Sequence, residues 1–215
     1  MSTRFDSAIY RASLSAQVPF SHLKALVDVM SGFNVMHRQV NEDLWSSVGK
    51  FSDTWQTLYT GHYIATKLGI SFQPNDEDYK MLYCASYGLT GLRYDRATQM
   101  LGFKNHPCDL LTDPMKNLEM GGRCYAMMCA YFAKLPDTIK WQLGFVSYMY
   151  DGAALLQLSE TIRNNIRDRE RDQLLLEKGV TALYGQSVTD RMLLFRAKRD
   201  EYMKQELQYM TAPPV

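Results

Sequence analysis

Apolar residues at helical spacing, punctuated by glycine and proline, constrain the fold of this chain more than any other feature. In the stretch LKALVDVMSGFN (23–34), four apolar residues recur at positions i, i+3, i+4 and i+7: Leu23, Leu26, Val27 and Met30. This spacing puts them on one face of a helix. Ser21 is placed to cap the start of this helix and Gly32 to close its end. The stretch therefore predicts an opening helix over residues 21–31.

Further helices follow from the same kind of punctuation. Residues 94–101 predict a helix that Gly102 closes. Asp113 followed by Pro114 is a helix start signal, and Pro136 predicts the end of that helix. No stretch alternates apolar and polar residues well enough to predict a strand. The predicted fold class is therefore mainly α.

The composition is that of an ordinary globular protein. Of the 215 residues, 46% are hydrophobic and 22% are charged, which suits one domain with a sizeable core. The net charge of +1 does not indicate a nucleic-acid partner. The most apolar run, at 124–133, is too short to span a bilayer. The first residues lack the apolar centre of a signal peptide, so we expect cytoplasmic synthesis.

The cysteines and histidines do not predict a metal or cofactor site. The four cysteines lack C-x-x-C spacing, so we expect buried free thiols and no zinc site. The histidines have no nucleophile partner at a readable spacing, and no phosphate-binding loop or dinucleotide fingerprint is present. We therefore predict no cofactor.

Four segments carry a resemblance to a known family: MSGFNV (30–35), SYGLTGLRYDRATQMLGF (86–103), DLLTDPMKNLEMGGRCY (109–125) and SYMYDGAALL (147–156). In this order they resemble the lytic transglycosylases of the goose-lysozyme-like group. These enzymes share a lysozyme-like fold and cleave the glycan strands of peptidoglycan. In the first segment Ser31 fits the family pattern Glu-Ser-x-Phe-x-Pro, and Met30 stands where the catalytic glutamate is expected. In the second, Thr90 and Gly91 replace the methionine and glutamine of the family's Gly-Leu-Met-Gln.

The third and fourth segments extend the resemblance. Asn117 fits the family's Asp-Leu-x-Asp-Pro-x-x-Asn stretch. Asp151 takes the place of asparagine in the family's Ala-Tyr-Asn-x-Gly segment, if Tyr150 is the family tyrosine.

The resemblance implies a division of the chain. A lysozyme-like domain would cover 18–156, after an N-terminal arm at 1–17 and with an insertion at about 36–80. A C-terminal helical extension would occupy 157–215. Its apolar stripe must be buried, either on this domain or on another chain.

The substitutions bear directly on catalysis. In the resembled family a single glutamate delivers the proton to the leaving oxygen, and the thioether of Met30 cannot donate a proton. The resemblance therefore implies a domain with no catalytic residue, kept for peptidoglycan binding or for structure. Domains of this kind occur in phage virions, which implies a virion-associated protein with peptidoglycan glycan and other subunits as partners. The groove would be formed by Ser31, Tyr87, Gly88, Leu89, Thr90, Gly91, Asn117, Tyr148, Tyr150 and Asp151.

Two alternatives remain open. The chain could be an active peptidoglycan-cleaving enzyme whose acid comes from the inserted stretch, which holds Glu42, Asp76, Glu77 and Asp78. Of these, Glu77 is the alternative catalytic residue that we name. The other alternative is a purely structural α-helical assembly protein that contacts its partners through the C-terminal helix.

Overall fold

The fold is mainly α, as predicted. A computed structural model describes residues 5–48, 81, 83–105, 107–150, 152–165 and 169–211. In chain order its helices are α1 (Asp6–Ala16), α2 (Phe20–Ser31), α3 (Glu42–Val48), α4 (Tyr94–Leu101), α5 (Asp109–Thr112), α6 (Pro114–Ala130), α7 (Asp137–Met149), α8 (Ala153–Asn164), α9 (Arg169–Tyr184) and α10 (Gln186–Thr211). Its strands are β1 (Arg38–Val40), β2 (Ala85–Tyr87) and β3 (Leu92–Arg93).

The three strands form a small antiparallel sheet in the order β1-β2-β3. Gln39 pairs with Ser86, and Ser86 pairs with Arg93 on its other side. This sheet was not predicted from the sequence, because strands of two or three residues are too short to show the alternation that predicts a strand. β1 and α3 lie in the predicted insertion, of which residues 49–80 are outside the described part of the chain.

Several predicted helix ends are confirmed. Gly32 and Gly102 follow α2 and α4 with φ angles of 58° and 65°, in the left-handed region that glycine adopts without strain. The side chain of Asp113 accepts a hydrogen bond of 2.9 Å from the Lys116 N–H at the start of α6. Each of these residues ends or caps a helix through contacts within a few residues in the sequence, as predicted.

Two predicted ends are wrong. α2 begins at Phe20, and Ser21 provides no side-chain cap; its backbone N–H donates to Glu206 instead. α6 ends at Ala130, and Pro136 instead precedes α7 as its N-cap residue. In the first case a residue far away in the sequence supplies the cap that a local residue was expected to supply.

The centre of the core is α2, whose apolar stripe is buried. α10 packs along α2, and α6 packs against both α1 and α7. The rings of Phe145 in α7 and Phe195 in α10 stack with centroids 4.4 Å apart. Of the apolar side chains of the C-terminal helix, Val188, Met192, Phe195 and Tyr202 are therefore buried on the core of their own chain, whereas Leu194 and Met203 are exposed.

Polar contacts fix α10 antiparallel to α2. At one end, the Phe20 and Ser21 N–H groups donate to the carboxylate of Glu206, at 3.3 and 3.2 Å. Near the other end, the Tyr202 hydroxyl donates to Asp28 at 2.7 Å. A carboxylate at a helix N-terminus satisfies unpaired N–H groups and opposes the helix dipole. The helix that begins at Phe20 is therefore capped from the C-terminal part of the chain.

The cysteines partly match their prediction. All four lie in the described part of the chain and none forms a disulfide. Three are buried, but Cys108 is exposed, contrary to the expectation of buried thiols. It lies in the turn that precedes α5 and contributes no side chain to the apolar core.

No helix within the described ranges is both long enough and apolar enough to cross a membrane.

Candidate functional site

A cavity of about 310 Å³ lies where the sheet, the end of α2, the end of α7 and the first turns of α10 meet. Its walls combine polar, charged, aromatic and apolar side chains. The lining residues are Met30, Gln39, Val40, Asn41, Glu42, Ser86, Gly91, Arg93, Tyr148, Met149, Tyr150 and Arg191.

The sheet supplies a polar wall. Gln39, Ser86 and Arg93 occupy paired positions on the three strands, so their side chains share one face of the sheet, the face that lines the cavity. The Ser86 hydroxyl also donates to the Gln39 carbonyl at 3.2 Å. Gln39 and Ser86 are more than forty residues apart in the sequence, and the antiparallel pairing of their strands brings them side by side.

Met30 and Gly91 form the apolar part of the wall. Met30 is 7% exposed, at the C-terminal end of α2. Gly91 has a φ of +57°, and a Cβ atom there would lie 3.0 Å from Met30 Cε and 3.2 Å from Met30 Cβ. The thioether therefore fills the space that a side chain at position 91 would need. Neither side chain of this part of the wall can donate a proton.

Asn117 holds the loop that leads into Gly91. Its Oδ1 accepts from the Thr90 N–H at 2.9 Å, and its Nδ2 donates to the Tyr87 carbonyl at 2.8 Å. Gly88 permits this close approach, because a Cβ atom there would lie 2.5 Å from Asn117 Nδ2. Asn117 is fully buried, so its amide replaces water as the partner of these backbone groups.

A further hydrogen bond joins this loop to the end of α2. The Ser31 hydroxyl donates to the Leu89 carbonyl at 2.6 Å. Leu89 is fully buried in the core. The helix end that carries Met30 and the loop that carries Gly91 are thus fixed to each other beside their point of contact.

The tyrosines at the end of α7 are positioned by buried groups. The Tyr148 hydroxyl donates to the Thr90 carbonyl at 3.1 Å. The Arg96 guanidinium donates to the Tyr148 and Tyr150 carbonyls, at 3.0 and 2.7 Å. These carbonyls lie where a helix ends and intrahelical donors run out. Burial lowers the pKa of Arg96, and its hydrogen bonds to this helix end offset the cost of burying it.

The charges around the cavity are not all paired. Arg93 forms a two-point contact with Asp95, at 3.0 and 2.6 Å. Glu42 and Arg191 form no ion pair with a described residue. The pKa of His37 is lowered, mainly by burial and further by the positive charge of Arg191. Its Nε2 atom is buried and has no hydrogen-bond partner among the described groups.

The predicted site residues fall into three groups. Met30, Gly91, Tyr148 and Tyr150 line the cavity. Behind the wall, holding or forming the loop, lie Ser31, Tyr87, Gly88, Leu89, Thr90 and Asn117. Glu77 and Asp151 lie outside the described residues, as do Asp76 and Asp78. Segments that are far apart in the sequence thus meet at one place.

Much of the polar wall was not predicted from the sequence. Ser86 and Arg93 flank the loop that contains Gly88 and Gly91, but no sequence pattern predicted that they lie in strands. Glu42 was named among the carboxylates of the insertion, and it does line the cavity. Arg191 lies in a helix outside the resemblance, and no local pattern pointed to it.

In the described part of the chain, no group of three or more histidine, cysteine and carboxylate side chains is arranged to hold a metal ion. No family model matches the chain, and no curated protein or solved structure shows a significant match to it.

Proposed function

We propose that this chain is a peptidoglycan-binding, lysozyme-like domain of lytic-transglycosylase ancestry that lacks the general acid of that family. One observation carries the proposal. Parts of three of the four resembling segments line a single cavity with Met30 in its wall, and Asn117 of the remaining segment holds the loop behind that wall. Met30 contacts Gly91, Thr90 bonds to Asn117, and Tyr148 bonds back to Thr90.

The chemistry of the wall favours binding over cleavage. Breaking a glycosidic bond requires a proton delivered to the leaving oxygen, and a thioether has none to give. The remaining wall offers amide, hydroxyl and guanidinium groups and the carboxylate of Glu42, beside the ring of Tyr150. Such a mixture of a flat apolar ring and a few fixed polar groups suits a sugar ring.

The test is to assay purified peptidoglycan sacculi for both binding and cleavage. We expect the wild type to bind sacculi without releasing anhydro-muropeptides. Met30→Glu should gain a slight but measurable release, because it puts a carboxyl group against an apolar wall that keeps it protonated. Met30→Leu, which keeps the apolar volume, is the matched control and should release nothing. A wild type that does not bind sacculi would overturn the proposal.

A second candidate function, active cleavage, is favoured by the position of Glu42. This residue lines the cavity and lies at the start of α3 in the predicted insertion. If the wild type cleaves sacculi, Glu42→Gln identifies the acid when it lowers the rate by roughly 10²–10⁴-fold, the usual effect of losing a general acid. Glu77→Gln tests the carboxylate named from the sequence in the same assay.

A further inference from the structure

Arg191 is a cation that α10 brings to the cavity. It lies in the second turn of α10, a helix outside the segments that resemble the transglycosylases. The position of its backbone is well fixed, because Met192 and Phe195 beside it are fully buried. Its guanidinium therefore stands at the cavity on a rigid support.

Among the described residues, Arg191 has no carboxylate to neutralise its charge. The other arginine of the wall, Arg93, is neutralised by its two-point contact with Asp95. No described carboxylate lies within ion-pair distance of Arg191. Its positive charge also reaches His37, just before β1, where it adds to the effect of burial in lowering the pKa of that histidine. A half-buried guanidinium at a cavity wall that forms no ion pair with a described residue is suited to a planar anion.

Resting on the proposed function, we propose that Arg191 binds a carboxylate of the glycan, so that the cavity prefers carboxylate-bearing saccharides to neutral ones of the same backbone. The guanidinium presents paired N–H donors that match the two oxygens of a carboxylate. Glu42, on the same cavity wall, repels an anion and thereby restricts where the carboxylate can lie. Through Arg191, α10 would then determine which saccharides the cavity prefers, in addition to packing against α2.

Two disaccharides and two variants test this. The acidic probe is N-acetylglucosamine linked to N-acetylmuramic acid with a free lactyl carboxylate, and the neutral probe is the N-acetylglucosamine disaccharide. Binding of each is measured by calorimetry to the full chain. The variants are Arg191→Gln and, as a matched control, Arg196→Gln. Arg196 lies on the same helix but does not line the cavity.

We expect the wild type to bind the acidic probe about tenfold more tightly, the effect of one charge-assisted hydrogen-bonded contact. Arg191→Gln should bind the two probes equally, because its affinity for the acidic probe falls about tenfold further than its affinity for the neutral one, and Arg196→Gln should keep the wild-type preference. Equal binding of the two probes by the wild type, or a preference that survives in Arg191→Gln, overturns the inference and leaves saccharide binding intact. Failure to bind either probe overturns the proposed function and the inference together.

Discussion

At the scale of single residues, Met30 and Gly91 behave as one feature. The pattern of the lytic transglycosylases, which the sequence resembles, has a long polar side chain at each position, whereas this chain has an apolar thioether at 30 and no side chain at 91. The space left at position 91 is filled by Met30, whose Cε would lie 3.0 Å from a Cβ atom there. The residues at 30 and 91 are therefore physically linked, because a side chain at 91 would require Met30 to shift.

This linkage predicts the effect of Gly91→Ala. The change forces a left-handed φ on alanine and pushes its methyl group into Met30, so it should cost about 2–4 kcal/mol of unfolding free energy. Gly102→Ala is the matched control. Position 102 also has a positive φ, of 65°, but an alanine methyl group there would meet no atom within 4 Å. Denaturant unfolding of both variants separates backbone strain from the contact.

We attribute the extra destabilisation of Gly91→Ala, relative to Gly102→Ala, to the contact with Met30. The destabilisation caused by Gly91→Ala should therefore be smaller when it is measured in a Met30→Ala background. Equal costs at positions 91 and 102 would show that the contact with Met30 contributes nothing.

At the scale of elements, the clearest feature is a helix capped by another helix. The carboxylate of Glu206 in α10 accepts from the Phe20 and Ser21 N–H groups at the start of α2. Glu206→Ala should lower the unfolding free energy by about 1–2 kcal/mol, because these N–H groups lose their cap and the helix dipole loses a favourable charge. Glu201→Ala is the control on the same helix, since Glu201 is exposed and pairs only with Lys198 at 3.6 Å among the described residues.

Chemical denaturation of the two variants measures this difference. Glu201→Ala should change stability by less than about 0.5 kcal/mol, as is usual for an exposed ion pair. If the two variants lose the same stability, the cap does not contribute to holding α2.

The elements also show what the sequence could and could not predict. Gly32, Gly102 and the Asp113 cap act within a few residues, so the corresponding helix ends were predictable. The pairing of Gln39 with Ser86 depends on a register between distant segments, and no local pattern encodes it. The same is true of Arg191, whose place at the cavity follows from how α10 packs. Local motifs therefore pointed to Met30, Gly91, Tyr148 and Tyr150 among the residues that line the cavity, but not to most of its polar wall.

At the scale of the whole molecule, the packing of α2, α6, α7 and α10 encloses a histidine. His22 is 5% exposed, with its ring 4.5 Å from that of Trp141. Burial, followed by the positive charges of Arg199 and Lys140, lowers the pKa of His22 to about 3. In the unfolded chain this pKa is close to 6.5. Between these two values the unfolded chain binds one proton more than the folded chain.

Stability should therefore fall as the pH is lowered through this window. The contribution of His22 is fully present above pH 6.5, and about 2 kcal/mol of it should be lost between pH 7 and pH 5. The measurement is denaturant unfolding of the wild type and of His22→Gln across this range. The variant should show a flatter dependence on pH, whatever its absolute stability. A parallel decline in both proteins would contradict the assignment of this proton to His22.

Because Glu206 is close to the C-terminal end of the sequence, the cap on α2 can form only late in synthesis of the chain. Phe20 and Glu206 are 186 residues apart. At usual synthesis rates of about 5–20 residues per second, the carboxylate follows the helix that it caps by roughly 10–40 s. Throughout that interval α2 lacks the helix that covers it, and its first N–H groups are left to water. A nascent chain thus lacks, for most of its synthesis, the cover that α10 gives to one face of its central helix, and the long-range contact that completes the fold forms late.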